Sequence, residues 1–593
     1  MTDALSLFGT TEPPGEARSF RRGQLSFCLM EGGLSDIRFA GTELIRAITF
    51  PVRDADWGTL TPVIEGETIV ESAAALTIEW QAIYHGNGPV LRAAMSVQAT
   101  PSSLVFRGVA VPDADFETNR AGFTVLHPVQ VSGLPVRVEH TDGRVEDSAF
   151  PARIDPKQPF MDIRSLTHNQ NGLTVRCAFE GDTFEMEDQR NWSDASFKTY
   201  VRPLALPWPY VLPAGQGIEQ AVALSFSGTP EGQGETALAV ELGDISLKKL
   251  PELSLVLTAA EARQALHEPG PLQHLAPNRI WAHLDPGAAE GPVEDDLAAF
   301  AALQAATGLV VDLEYAARCD GDLDAEFGGL ARQINAAGLN LASILVCPSV
   351  DRQSTPPGST WPACPPLEEV HAAVARAFPW IERGGGMLSY FTELNRKRPP
   401  VAALDYVTCG TNPIVHAADD RSVMQTLTAL PWILQSAEAI VEGRPLRLGL
   451  SSIPMRQNPY GSRTMPNPEG KRLCMAETDP RHFAAFGAAF ALGYLAAIAP
   501  FGVASWTPSA LFGPRGLMAG KRSTPLADLL VRLAQLAGQP LRHCQTSDPE
   551  RVAALALADN IWLANLTAEA ISLEVGGTTV SLAPFAIVER DLA

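Results

Sequence analysis

The sequence lacks the short motifs by which the commonest enzyme sites are recognised. Its 593 residues include eight cysteines but no Cys-x-x-Cys pair, too few for a disulfide framework, so reduced thiols are expected. There is no H-E-x-x-H, no Gly-x-Ser-x-Gly elbow and no glycine-rich nucleotide loop. We therefore expect no metal and no other cofactor, although a metal held by scattered Glu, Asp and His side chains has no local signature to exclude it.

Positive charge is also scarce. Lys and Arg number 45 against 67 Asp and Glu, and the formal net charge is −22. Because a strongly acidic protein repels phosphate groups, we expect no nucleic-acid partner. The first twenty residues lack a charged region followed by an apolar core, so we expect no secretory signal peptide and a cytoplasmic location. The sequence gives no indication of the oligomeric state.

One long uncharged stretch, residues 483–506, raises the question of a membrane span. Asp479 followed by Pro480 is typical of the start of a soluble helix, with an N-cap and a proline in the first turn. Pro500 interrupts the stretch near its end. The pattern predicts a buried helix over 481–498 and a strand over 501–506, and no membrane partner.

Residues 1–240 are typical of a β domain. Short apolar runs such as 24–30, 75–84, 90–99 and 103–111 are separated by turn signals, among them His85-Gly86-Asn87-Gly88. The number of runs predicts a large antiparallel β-sandwich, similar to the supersandwich of mutarotases.

Residues 275–540 alternate between strands and helices. We predict strands at 279–284, 308–313, 340–347, 387–392, 406–410, 446–453 and 501–506, and helices at 295–306, 325–337, 367–378, 421–441 and 481–498. Such alternation implies parallel strands with right-handed crossovers, and seven units fit a (β/α)8 TIM-type barrel whose eighth strand is not identified. Residues 545–593 return to short strands, with a Gly576-Gly577 hairpin turn, and predict a small C-terminal β domain.

The segment 184–200, FEMEDQRNWSDASFKTY, concentrates hydrogen-bonding side chains around one Trp. Carboxylates and amides bind hydroxyl groups, and an aromatic ring covers the apolar face of a small ring, so the segment is typical of a polyol or sugar-acid site. The alternative is a solvated hairpin tip with surface ion pairs. The substrate-binding candidates in this segment are Glu187, Asp188, Arg190, Asn191, Trp192, Asp194 and Lys198, with Trp192 as the stacking surface.

This segment, together with residues 390–396 (YFTELNR) and 411–417 (TNPIVHA), resembles the D-apionate lactonase family of bacterial apiose catabolism. The resemblance extends nearly end to end. It implies an N-terminal β domain, a TIM-barrel-like middle and a short C-terminal β domain, and a reaction that hydrolyses D-apionolactone to D-apionate. It supplies no catalytic set, so the roles of individual residues are inferred from the chemistry of their side chains.

Barrel enzymes place their catalytic groups at the carboxyl ends of the strands, and this rule selects two residues. Glu393 follows the strand predicted at 387–392 and is our first candidate for an acid or base; the alternative is that it only pairs with Arg396 or Lys397. His416 follows the next strand and could activate water or protonate the leaving hydroxyl. Asn395 and Asn412 are expected to donate hydrogen bonds to the substrate, and the other polar residues near strand ends are Glu314, Ser451, Ser452, Arg456, Glu477 and Asp479.

Two other functions fit the same pattern. A TIM-barrel glycoside hydrolase would use Glu393 as the acid and a second carboxylate, Glu477 or Asp479, as nucleophile or base. Against it, Thr392 rather than Asn precedes Glu393. A carbohydrate-binding protein on a catalytically inactive barrel would bind ligand without turnover. Asp419 or Asp420, and likewise Asp479, are expected to be helix N-caps rather than catalytic groups.

Overall fold

The computed structural model describes residues 4–55, 57–231, 237–288, 291–356, 358–461 and 463–592. The chain divides into two compact units, which are described separately. One consists of Pro14–Arg190 and Ala195–Glu235. The other consists of Met1–Pro13, the short segment Asn191–Asp194, and Thr236–Ala593.

The first unit is an antiparallel β domain, as predicted. Its nine-stranded sheet runs in the order Val145–Ala149, Pro135–His140, Ile163–Gln170, Leu173–Glu180, Ile218–Gly228, Ser103–Pro112, Val90–Ala99, Leu76–His85 and Val63–Glu71. Its seven-stranded sheet runs Arg18–Arg22, Leu25–Met30, Gly33–Phe39, Thr42–Thr49, Thr124–Pro128, Ser196–Tyr200 and Glu185–Asp188. Alternate residues of strands such as Leu76–His85 and Val90–Ala99 are buried, because side chains on a strand alternate between faces, and they form one hydrophobic core.

The second unit contains a closed barrel of eight parallel strands, which confirms the predicted TIM-type fold. The strands are β1 (Glu252–Leu257), β2 (Arg279–Leu284), β3 (Val310–Ala317), β4 (Leu341–Pro348), β5 (Glu382–Tyr390), β6 (Tyr406–Gly410), β7 (Leu446–Leu450) and β8 (Ser505–Ala510). The strand that the sequence did not identify is the first, β1. It follows the long strand Ala239–Lys249 almost without interruption, so the two read as one β region.

The helices of this unit are Ala259–His267, Gly270–Leu275, Val293–Thr307, Leu323–Ala337, Leu367–Ala377, Phe391–Lys397, Asp420–Gln425, Leu430–Val441, Ala485–Ile498 and Pro525–Leu536. The single helix predicted over 421–441 is wrong. It is two helices joined by a 3-10 turn, Thr426–Ala429, and Pro431 lies in the first turn of the second helix. Asp419 and Asp479 are N-caps, as expected, and accept from the backbone N–H of Ser422 and Arg481.

Three consecutive glycines make β5 hard to recognise, and the predicted strand at 387–392 began too late as a result. Gly386 has φ +116°, and a Cβ there would lie 2.2 Å from the Thr408 carbonyl oxygen on β6. A Cβ on Gly384 would lie 2.2 Å from the Tyr406 ring. Only glycine fits this close approach of two strands, although glycine has a low β propensity. The strand ends at Tyr390, and Phe391 already begins the helix that carries Glu393.

The chain ends in a further sheet, in the order Thr578–Leu582, Ile571–Val575, Ala239–Lys249, Pro540–Thr546, Val552–Leu557, Asn560–Asn565 and Ile587–Asp591. The N-terminal helix Ala4–Phe8 belongs to this unit too, and Phe8 packs against Phe486 and Phe585. The uncharged stretch that suggested a membrane forms the buried helix Ala485–Ile498, the 3-10 turn Ala499–Phe501 and the first residues of β8. The strand predicted over 501–506 therefore began too early. In the described part of the chain, no helix is long and apolar enough to cross a membrane.

Candidate active site

The two ends of the barrel interior carry different polar groups. Near the amino ends of the strands, Asp312 is fully buried and accepts from Arg279 Nη1 at 2.8 and 2.9 Å and from Ser343 Oγ at 2.6 Å. Arg447 donates to Ser343 and lies over the Tyr406 ring. This cluster closes the amino end of the barrel. The carboxyl ends, where barrel enzymes place their catalytic groups, hold three further clusters.

His416 and Asp194 form the first cluster. His416 Nδ1 lies 2.7 Å from Asp194 Oδ2, and Nε2 lies 3.5 Å from the Tyr460 hydroxyl. The two side chains are 15% and 16% exposed, so solvent reaches both. A carboxylate on Nδ1 fixes the imidazole tautomer and leaves Nε2 to accept a proton. An imidazole held in this way by a carboxylate has the geometry that general-base chemistry requires.

The segment Asn191–Asp194 is held in place by the helix Phe391–Lys397. Thr392 Oγ1 donates to the Asn191 carbonyl at 2.7 Å, and Asn395 Nδ2 donates to Asn191 Oδ1 at 3.1 Å. Asn191 and Asn395 thus bind each other, and both are buried. Their contacts place Asp194 beside His416, which the sequence could not indicate.

Trp192 is not the open stacking surface that the sequence suggested. It is 3% exposed and packs with Tyr390, Val415 and Met455. The His416 ring contacts it edge-on at 5.9 Å, Tyr460 lies at 5.2 Å, and the Arg396 guanidinium lies 5.4 Å from its centre. Tyr460, which is 43% exposed, is the aromatic ring of this cluster that faces solvent.

Glu393 lies in a second cluster, of buried ion pairs. The residue is 1% exposed, and Oε1 accepts from Arg396 Nη1 at 3.0 Å and from the Thr355 backbone N–H at 3.2 Å. Lys397 Nζ lies 3.7 Å from Oε2 and pairs with Asp351 at 2.7 Å. The sequence offered two alternatives for Glu393, and this geometry corresponds to the pairing with Arg396 and Lys397.

The third cluster joins β2, β3 and the loop after β7. Arg456 donates through Nη1 to Glu314 Oε1 at 2.8 Å and through Nη2 to His283 Nδ1 at 2.6 Å. Burial, and then the positive charges of Arg456, Arg352 and Arg515, hold the pKa of His283 well below 6.5. The imidazole is therefore neutral. Because an arginine cannot accept, Nδ1 is the accepting nitrogen and Nε2 carries the proton.

Tyr390 connects the first and third clusters. It packs with Trp192, and its hydroxyl donates to the carbonyl of Gln457, the neighbour of Arg456. Burial raises the pKa of Tyr390, while its hydrogen bond to Gln457 and then the charges of Arg456 and Arg515 act in the opposite direction. Arg515 itself donates to the carbonyl of Met455, the other neighbour of Arg456. The polar groups therefore surround one barrel mouth.

The remaining candidates have other partners. Asn412 donates to the carbonyls of Ser452 and Ile453, which ties the loops after β6 and β7 together. Four candidates lie in the β domain, and they form two ion pairs there: Asp188 with Arg190 at 2.6 Å, both fully buried, and Glu187 with Lys198 at 2.5 Å.

Sequence reasoning missed His283, Tyr460 and Arg515. His283 had a usable signal, because Arg279, Trp281 and His283 alternate along β2 and so share one face of it, with His283 next to the carboxyl end. Tyr460 and Arg515 lie in loops, which have no periodic pattern. Among the residues described, no group of three or more His, Cys, Asp or Glu side chains is arranged to hold a metal ion.

Known proteins resemble this chain over its whole length. A family model described as the D-apionate lactonase TIM barrel domain matches residues 253–538. The model of the N-terminal domain of that family matches 5–229, and the model of its C-terminal immunoglobulin-like domain matches 549–589. A D-apionate lactonase of Brucella anthropi is 45% identical, over 99% of this chain and 98% of that one.

Solved structures are far more distant. An α-galactosidase of Geobacillus stearothermophilus is 10% identical with a TM-score of 0.30, over 97% of this chain and 99% of that one. A xylanase catalytic domain of Talaromyces cellulolyticus is 8% identical with a TM-score of 0.32, over 60% and 97%. These values are too low to bear on function. The three matched domains and the Brucella relative are decisive, and the chain belongs to the D-apionate lactonase family.

Proposed function

We propose that this protein hydrolyses D-apionolactone to D-apionate in apiose catabolism, as a carboxylic ester hydrolase. The observation that carries the proposal is the 45% identity to a D-apionate lactonase over nearly both full lengths. The His416–Asp194 pair supports it, because lactone hydrolysis requires a base to activate water. The eight cysteines are free in the structure, which fits a reducing cytoplasm.

His416 is the general base of this proposal. Nε2 takes a proton from water as the water oxygen bonds to the lactone carbonyl carbon. The ring carbon–oxygen bond then breaks, and the imidazolium returns the proton to the leaving alkoxide. The new carboxylic acid ionises, so each turnover releases one proton. Asp194 stabilises the imidazolium and holds the ring in place.

The buried candidates position this pair and do not bind substrate. Asn191, Asn395 and Thr392 hold the segment that carries Asp194, and Trp192 packs against the His416 ring. Glu393 anchors Arg396, whose guanidinium lies by Trp192. Tyr460, beside Nε2 and partly exposed, offers an aromatic face to the sugar ring.

The glycosidase alternative gains no support from this geometry. It requires two carboxyl groups that a substrate can reach. Glu393 is 1% exposed, and Asp479 is fully buried in an ion pair with Arg481. Glu477 is exposed, but neither of these two buried acids can act with it on a substrate.

Proton release on D-apionolactone in a weakly buffered indicator assay, with and without EDTA, tests the proposal. The parent protein should release acid far above the spontaneous rate. His416→Gln should lower kcat/KM by about 10²–10⁴-fold, the usual contribution of a general base. His274→Gln is the matched control, because His274 is exposed on the helix Gly270–Leu275 and should keep full activity. A folded parent protein without activity, or a fully active His416→Gln, would contradict the assignment.

A further inference from the structure

The barrel mouth contains a positively charged group that the general base does not use. The guanidinium of Arg515, just after β8, donates one hydrogen bond, from Nη1 to the Met455 carbonyl at 3.3 Å. In the described ranges no carboxylate lies within 4.0 Å of it, whereas Arg456 pairs with Glu314 and Arg352 with Asp285. Glu261 and Glu477 act on Arg515 only from a greater distance. Glu261 is held by its own helix cap at Thr258.

A cation in this position is costly without an anion. Burial, and then the charge of Arg456, lowers the pKa of Arg515 below its usual range. Arg515 donates to the carbonyl of Met455, the neighbour of Arg456, so the two guanidinium groups lie in one region, where Glu314 pairs with Arg456. Such a site favours an anionic ligand, for which guanidinium groups offer several planar donors.

We propose that Arg515, Arg456 and the Nε2–H of His283 form a carboxylate site, which holds the lactone carbonyl oxygen as it gains charge and then the carboxylate of the product. This inference rests on the proposed function for its substrate. It assigns three residues on β2 and the loops after β7 and β8, none of which is part of the His416 cluster.

His283 contributes a fixed donor. Its Nδ1 accepts from Arg456, so Nε2 carries the only ring proton and points it away from the guanidinium. No acceptor for Nε2 occurs among the described residues. The side chain is 15% exposed, which leaves this donor open to a ligand. A neutral N–H donor held in place before the reaction stabilises an oxyanion without reorganisation.

The barrel interior below contains a small cavity with unpaired polar atoms. A cavity there is lined by Trp281, Glu314 and Thr507 among others. Trp281 Nε1 and Thr507 Oγ1 are buried and have no hydrogen-bond partner in the part of the chain described. Buried donors are normally paired, and this cavity of about 10 Å³ admits one water-sized polar group to these two atoms.

The assignment accounts for both oxygens of the reacting group. When water attacks, the carbonyl π electrons move to its oxygen, which becomes an alkoxide within reach of Arg515 and His283. When the ring carbon–oxygen bond breaks, the carbonyl re-forms and the leaving oxygen receives the proton from His416. The new carboxylic acid then loses its proton, and the resulting carboxylate lies next to the two guanidinium groups. The same site therefore stabilises the transition state and retains the product.

The test separates anion binding from turnover. Binding of D-apionate, D-erythronate and the neutral erythritol is measured by calorimetry at pH 7.5, beside kcat and KM for D-apionolactone. Arg515→Gln is compared with the conservative Arg515→Lys, and with the control Arg522→Gln, an exposed arginine beyond the same loop. Thermal unfolding of each variant verifies that it folds.

We expect Arg515→Gln to weaken binding of both carboxylates at least tenfold and to lower kcat by about 10²-fold, the usual cost of one oxyanion donor. Erythritol binding should not change, Arg515→Lys should recover part of the loss, and Arg522→Gln should match the parent. Unchanged carboxylate binding and kcat in Arg515→Gln, with the parent active on the lactone, would overturn this inference alone. If the parent does not hydrolyse D-apionolactone but binds carboxylates in a manner that depends on Arg515, the carboxylate site is upheld and the proposed function is refuted.

Discussion

Acid should destabilise the β domain through two buried histidines. His127 and His168 lie in its core with ring centres 6.2 Å apart. Burial, and then the proximity of His168, lowers the pKa of His127 to about 3, and burial lowers that of His168 to about 4. Neither ring nitrogen of His168 has a hydrogen-bond partner among the described residues, so nothing there stabilises a charged ring.

The sign and size of the effect follow from proton linkage. Each histidine titrates near 6.5 when unfolded, so below that pH the unfolded chain binds protons that the folded domain does not. Stability is therefore complete above pH 6.5 and decreases as the pH falls toward 4. At pH 5 each neutral buried histidine lowers the free energy of unfolding by about 2 kcal/mol, and the two together by about 4 kcal/mol. This is a large part of the stability of a typical domain, about 5–15 kcal/mol.

Native-state hydrogen exchange can measure this domain separately from the barrel. Peptides that cover Ile163–Gln170 and Leu173–Glu180, corrected for intrinsic rates, give the free energy of opening at pH 7 and pH 5. His168→Phe removes one titrating ring and keeps an aromatic side chain beside Phe150. The parent should lose about 2 kcal/mol more than this variant between the two pH values.

The control is His85→Asn, an exposed histidine on a strand of the same sheet, which should lose as much stability as the parent. If His168→Phe and the parent lost equal stability between pH 7 and pH 5, the folded domain would accommodate a charged ring. The reasoning from burial would then be refuted.

Three further predictions concern the barrel mouth and the core. Asp194→Asn should lower kcat at least tenfold and change the pH profile of kcat, because it alters the orientation and the charge balance of His416. KM should change little, and steady-state kinetics from pH 5 to 9 measures both parameters. Asp188→Ala should destabilise the β domain by about 3–5 kcal/mol, measured by denaturant unfolding, because Arg190 is left charged and buried without its partner. The double variant Asp188→Ala with Arg190→Met should lose less stability, which would confirm that the unpaired charge is the cause. Gly386→Ala should prevent folding of the barrel, because its Cβ would lie 2.2 Å from a backbone carbonyl oxygen. A circular dichroism spectrum of the purified variant that matches the parent would contradict this prediction.

Much of the fold followed from local patterns. Alternating burial in strands such as Val90–Ala99 and the amphipathic helix Leu323–Ala337 have periods that a sequence displays directly. The exceptions are β1, which merges with the strand before it, and β5, whose glycines have a low β propensity. Glycine was required there by the distance between two strands, which is a tertiary constraint.

The sequence by itself determined the order of the domains, the alternation of strands and helices, and the position of Glu393, His416 and Arg456 after barrel strands. Only the tertiary structure decided what each side chain binds. His416 pairs with Asp194, which is 222 residues away in the sequence. Arg456 binds His283 and Glu314, which are 173 and 142 residues away in the sequence. Local periodicity carries no information about such pairs, because the two residues are far apart in the sequence and meet only when the chain folds. Glu393 is different, because its partners Arg396 and Lys397 lie three and four residues along the same helix and the sequence offered that pairing as an alternative; the tertiary structure decided its burial.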